Sequence, residues 1–129
     1  MPTAVADQLR KIEEATAAAP GLLANIAIAY DGRADIVAAV HKLLALGLPA
    51  HCGIDDVERL LADRLSTAGL PDPDLLIRTS GELRTSGFLL WQGAQAELYF
   101  TATPWPEIQE HDLLKALAAY RSRHRRFGR

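Results

Sequence analysis

Ten consecutive residues, Arg78-Thr79-Ser80-Gly81-Glu82-Leu83-Arg84-Thr85-Ser86-Gly87, gather two guanidinium groups, four hydroxyls and two glycines. That set suits a diphosphate. Arginine offers parallel N–H donors to phosphate oxygens, hydroxyls and backbone amides add more, and glycine lets the backbone approach closely. A polar surface loop held by ordinary salt bridges has the same composition, so both readings stand on these residues alone. Ten residues past the loop, Glu97 opens an otherwise apolar run. A carboxylate there either faces solvent or helps hold Mg²⁺, which usually takes one or two carboxylates together with phosphate oxygens; taken alone, the solvent-facing reading is the stronger. Residues 121–129 hold Arg121, Arg123, Arg125, Arg126 and Arg129 and no acid, which leaves nine basic and sixteen acidic groups on the rest of the chain. Such a patch can bind phosphates, nucleic acid or an acidic surface, or it is a solvated helix end favoured by the helix dipole. His41, His51, His111 and His124 lack metal-ligand spacing. Cys52 shows no feature of a reactive thiol, and Trp91 and Trp105 read as core or interface residues.

The elements that must position these groups follow from apolar periodicity. Ala4 to Ala18 is rich in helix formers, with Val5, Leu9 and Ile12 at helical spacing before Pro20-Gly21. Leu22 to Ala29 is a short apolar run ending in the turn Tyr30-Asp31-Gly32-Arg33, which predicts a strand buried on both faces. Ile36, Val37, Val40, Leu43 and Leu44 predict a helix ending at Gly47 and Pro49, so strand, turn and helix form half of a βαβ unit. Asp55, Asp56 and Glu58 oppose the positive end of a further helix that runs to about Ser66. Leu75-Leu76-Ile77 predicts a second strand and Glu97 to Thr101 a third, ended by Pro104 and Pro106. Phe88 to Gln92 fits helix or strand. Leu113, Leu114, Leu117 and Tyr120 share one face of a final helix, from about Gln109 to His124. Alternating strands and helices predict an α/β fold with a parallel sheet and covering helices, with about three strands. Three is few against the usual five or six, and no internal repeat accounts for the shortfall.

The chain has 129 residues, a formal net charge of −2 and 49% hydrophobic residues, which excludes a disordered polyelectrolyte and a fibrous repeat. No apolar stretch approaches the roughly 20 residues that span a bilayer, and the first residues show no secretory signal. The lone Cys52 rules out an internal disulfide, consistent with a reducing cytoplasm. One domain, 1–129, in a cytoplasmic protein is the expectation.

Taken together, Pro73-Asp74-Leu75-Leu76-Ile77-Arg78-Thr79-Ser80-Gly81-Glu82, Arg84, Ser86, Phe88-Leu89-Leu90-Trp91-Gln92, Ala96-Glu97-Leu98-Tyr99-Phe100, Trp105-Pro106 and Arg125-Arg126-Phe127-Gly128 resemble the carboxyl-terminal half of the cis-prenyltransferases. This is the undecaprenyl diphosphate synthase family, which condenses isopentenyl diphosphate onto an allylic diphosphate. Asn25-Ile26-Ala27 with Tyr30, Gly32 and Arg33 resembles a preceding family motif, so the ordered match covers nearly the whole chain. The resemblance implies that Arg78, Arg84 and Ser86 bind the isopentenyl diphosphate and that Glu97 helps hold Mg²⁺. It implies that Arg126 and Gly128, in the tail 121–129, reach across a dimer interface to the partner's diphosphate. A homodimer or heterodimer follows, and the lipid product implies peripheral contact with a membrane.

The departures shape the functional expectation. The family's Asp-Gly-Asn-Gly-Arg strand, whose Asp is essential, does not occur in these residues, so no catalytic residue is identified. Asp31, where glycine is usual, is a weak substitute, because an acid beside a diphosphate repels it unless a metal intervenes. Leu83 stands where the family often has histidine. The expected function is the isopentenyl-diphosphate-binding half of a prenyl transferase, inactive alone, and the alternative is a non-catalytic partner subunit of a synthase heteromer. A nucleic-acid module using the tail is the weakest reading, since the body is acidic.

Overall fold

The computed structural model describes residues 2–47 and 51–123. The chain divides into two compact units, one ending at Tyr30 and the other beginning at Asp31. In the first, α1 spans Thr3–Thr16 and has no buried residue. Its last turn is closed by Thr16 Oγ1, which donates to Ile12 O at 2.8 Å. The expected strand over residues 22–29 does not form, and Leu22 and Ile26 are 96% and 75% exposed. An apolar run becomes a buried strand only where neighbouring strands complete its ladder and layers cover its faces. Among the described residues nothing does either for this segment.

The second unit opens on α2, Gly32–Leu46, whose amino end is capped by Asp31. Ala39 and Leu43 form its buried face, joined by Ile36 at the margin, whereas Val37, Val40 and Leu44 are exposed. Only part of the predicted stripe therefore faces the core. Helix α3, Ile54–Ala62, is shorter than predicted. Past it the chain tightens into turns in which Arg64 N and Leu65 N donate to Leu61 O and Ala62 O. These turns still bring Leu65 into the core with Leu61, Ala39 and Leu43, with Trp91 packed against them. The two helices are also clamped by polar contacts, since the Asp35 carboxylate accepts from Ser66 N and Ser66 Oγ, both at 2.9 Å.

Strands β1, Leu75–Arg78, and β2, Glu97–Phe100, pair in parallel with Leu75 opposite Glu97 and Arg78 opposite Phe100. They are the strands found among the described residues, so the parallel α/β class holds with two strands where about three were expected. Between them, residues 86–95 form successive turns in place of a helix or strand. After a short 3₁₀ turn at Trp105–Glu107, α4, Glu110–Ser122, packs on β2. The face it buries is centred on Ala116, which is fully buried, with Asp112, Ala119 and Tyr120 half-buried beside it. Leu113, Leu114 and Leu117 point outward. Of the predicted face, Tyr120 thus borders the buried side, whereas the three leucines lie off it and the small Ala116 takes the contact with the sheet. No described helix is long and apolar enough to cross a membrane.

Candidate anion site at the carboxyl ends of the strands

In open α/β sheets ligands bind beyond the carboxyl ends of the strands, and the arginine-rich loop leaves β1 at that end. Its first turn is tied to the continuation of β2: Ser80 N donates to Thr103 O at 3.0 Å and Gly81 N to Thr101 O at 2.9 Å. Its second turn is tied to the start of α2, where Gly32 N donates to Gly87 O at 3.0 Å. Both turns use left-handed backbone, with φ of 65° and 69° at Ser80-Gly81 and 50° and 80° at Ser86-Gly87. The tetrapeptide Arg-Thr-Ser-Gly occurs twice, at 78–81 and 84–87, and its Ser-Gly pair takes positive φ each time, although Arg78 ends a strand and Arg84 lies in a bend.

The two Arg-Thr pairs line one cavity of about 450 Å³. Arg78, Thr79, Arg84 and Thr85 supply its polar wall, and Phe88, Leu98, Phe100 and Trp105 much of its apolar wall. Nε of Arg78 is buried and has no hydrogen-bond partner among the described residues. A buried donor without an acceptor costs about 1–3 kcal/mol, and an anion in the cavity toward which the guanidinium turned would satisfy it. Arg84 is exposed and pairs with the Glu82 carboxylate, so its charge is partly answered. The cavity therefore offers cationic donors next to an apolar wall, an arrangement that can hold a diphosphate and its hydrocarbon substituent together.

The predicted site residues fall in three places. Arg78 and Arg84 come together at the cavity. Ser86 is exposed in the second turn and does not line it. Glu97 sits at the start of β2, the opposite end of the strand pair from Arg78. Its Oε2 lies 2.7 Å from Arg123 Nη1, which also donates to Leu98 O at 2.9 Å. The proposed magnesium ligand is thus engaged with an arginine, and no group of three or more His, Cys, Asp or Glu converges among the described residues. The described residues do not by themselves fit a Mg²⁺ site. Arg126 and Gly128 lie outside the described residues. Asp31 is accounted for as a helix cap, with Oδ1 accepting from Arg33 N at 2.8 Å and Ala34 N at 3.1 Å. Thr79, Thr85 and the exposed Trp105 were not singled out as site residues, although the doubled tetrapeptide was a visible signal for the two threonines.

Comparison with known proteins identifies the family. The family described as "Putative undecaprenyl diphosphate synthase" matches residues 1–128. Isoprenyl transferase 1 of Corynebacterium glutamicum is 48% identical over all of this chain and 60% of its own length. Isoprenyl transferase of Thermus thermophilus is 48% identical over 94% of this chain and 48% of its own length. Among solved structures, lavandulyl diphosphate synthase from Lavandula x intermedia, in complex with dimethylallyl diphosphate, superposes with a TM-score of 0.89 at 41% identity. It is matched over all of this chain and 56% of its own. A probable undecaprenyl diphosphate synthase from Campylobacter jejuni gives 0.81 at 30% identity, over 58% of that chain. The chain thus spans about half to three fifths of the length of these relatives, corresponding to their carboxyl-terminal portion. It belongs to the cis-prenyltransferase family, whose members include the isoprenyl transferases and undecaprenyl diphosphate synthases.

Proposed function

We propose that this chain supplies the isopentenyl-diphosphate half-site of a cis-prenyl transfer reaction. In that reaction the isopentenyl double bond attacks the allylic carbon, a carbon–carbon bond forms, diphosphate leaves from the allylic partner and a proton is lost from the isopentenyl unit. The chain's contribution is to bind and orient the nucleophilic partner. Arg78 and Arg84 hold its diphosphate at the carboxyl ends of the strands, with Thr79 and Thr85 beside them, while Phe88, Phe100 and Trp105 cover the five-carbon unit. Fixing one reactant in this way lowers the entropic part of the barrier. The observation that carries the reading is that Arg78, whose buried Nε has no acceptor among the described residues, lines one cavity with Arg84, Thr79 and Thr85 next to an apolar wall.

In this reading Ser86 adds its hydroxyl from the rim of the second turn, and Arg126 and Gly128 complete the site from a neighbouring subunit. The allylic half-site comes from residues that the relatives have beyond the matched portion. The chain alone should bind labelled isopentenyl diphosphate yet elongate neither geranyl nor farnesyl diphosphate, with or without Mg²⁺. Robust elongation by the isolated chain would show that the other half is not needed, and failure to bind isopentenyl diphosphate would remove the reading.

The alternative of a non-catalytic subunit docking on a full-length synthase gains support from the outward-facing Leu113, Leu114 and Leu117 on α4. Deleting residues 125–129 and measuring stimulation of a co-expressed synthase separates the two. Stimulation lost on deletion supports the subunit role, and stimulation unchanged or never seen removes it.

A further inference from the structure

The second arginine turn is held in an unfavourable conformation. Ser86, Gly87 and Leu89 all have positive φ, at 50°, 80° and 47°, and for residues other than glycine this conformation is costly. A turn of this kind persists only where its surroundings over-determine it. The turn closes on itself through Phe88 N, which donates to Thr85 O at 3.0 Å, and its Gly87 carbonyl is tied to Gly32, the first residue of α2. Gly32 is buried, its N–H donates to Gly87 O at 3.0 Å, and the contact leaves no room. A methyl group on Gly32 would lie 2.4 Å from Gly87 O, 3.1 Å from Leu90 N and 3.3 Å from Leu90 Cγ.

We infer that Gly32 is a positioning residue for the diphosphate cavity, acting through Gly87 to set where Arg84 and Thr85 stand relative to Arg78. The inference rests on the diphosphate reading above. The amide of Gly32 is unavailable to ligand because it is spent on Gly87, and those of Arg33 and Ala34 are spent on Asp31. The end of α2 therefore works as a mechanical stop for the loop and takes no part in binding the anion. Only glycine permits this approach, since any side chain pushes the Gly87 carbonyl and the two residues before it away from the first arginine.

The test compares Gly32→Ala with Asp31→Ala, which removes the cap of the same helix but adds no atom toward Gly87. Both variants of the 129-residue chain are melted and titrated calorimetrically with isopentenyl diphosphate. Gly32→Ala is expected to lose at least tenfold in affinity and Asp31→Ala less than threefold, although both melt lower than the parent. Because Gly32→Ala could fail to fold, amide exchange of the parent protein gives a second readout. Saturating isopentenyl diphosphate should slow exchange at the Gly32 amide several-fold, because the turn it braces is then fixed. Affinity retained in a folded Gly32→Ala, equal losses in both variants, or unchanged exchange at Gly32 overturns the inference while leaving the diphosphate reading in place. No binding by the parent chain overturns the reading and the inference together.

Discussion

Replacing Arg78 by lysine should move stability and affinity in opposite directions. Nε of Arg78 is buried without an acceptor among the described residues, a state that costs about 1–3 kcal/mol. Lysine keeps the positive charge on a flexible stem and has no equivalent buried N–H, so Arg78→Lys removes that cost. Some packing of the planar group is lost, which leaves a net gain of about 0–1 kcal/mol, or a rise in Tm of up to roughly 6 °C. For the bound state the balance reverses. Lysine forfeits the forked donor geometry that matches a phosphate, and one charge-assisted hydrogen bond is worth about 1.5–3 kcal/mol, or roughly 10- to 150-fold in Kd. Thermal melting without ligand and calorimetric titration with isopentenyl diphosphate read the two terms separately. A variant that melts lower and binds weakly would mean that Arg78 is an ordinary structural residue. One that binds within threefold of the parent would mean that its guanidinium does not face the ligand. Either result refutes the reasoning.

Three further outcomes follow from other contacts. Asp31→Asn should leave the melting temperature unchanged, because asparagine caps as well as aspartate, whereas Asp31→Ala should cost about 1 kcal/mol by the same measurement; equal losses would show that the charge matters beyond capping. The Arg59 side chain, with help from the Gly53 N–H, holds the Asp56 carboxyl below the usual range. Its contribution to the start of α3 is thus present above the ordinary carboxylate pKa and lost as pH falls through the lowered value. An NMR titration should find its midpoint below about 3.9, rising in Arg59→Ala. Glu97→Gln and Arg123→Ala should be non-additive in thermal melts, with a coupling of about 0.5–1 kcal/mol for this partly exposed pair; strict additivity would free Glu97 for a metal.

Local signals made much of the fold legible. Helices α1 to α4 and the two strands lie where apolar spacing, acidic amino ends and proline or glycine stops place them. The misreadings share a cause, which is that periodicity gives a face but not what covers it. Leu22 to Ala29 has the composition of a central strand and stays exposed, because a central strand is defined by neighbours its own residues do not contain. On α4 the leucines looked like the core face, yet Ala116 took that place, since distance of approach to the sheet outweighed the size of the apolar side chain. Beyond α3 the core position of Leu65 survived even though its helix did not, which shows burial to be more robust than helix length.

The site divides along the same line. Its chemistry was legible because the donors occupy ten consecutive residues, whereas its geometry was not, because the atoms that shape it are distant in sequence. Thr101 and Thr103 hold the first turn and Gly32 the second, and no spacing rule links Gly32 to Gly87. The consequence is energetic as well as predictive. Left-handed backbone at Ser80, Ser86 and Leu89 costs about 1–2 kcal/mol for each residue, and the hydrogen bonds that offset it come from the ends of β2 and α2. The cation cluster is therefore assembled by the folded sheet and helix together. A peptide carrying residues 78–87 would keep every donor and lose the arrangement, so the proposed affinity for diphosphate should fall wherever those two elements come apart.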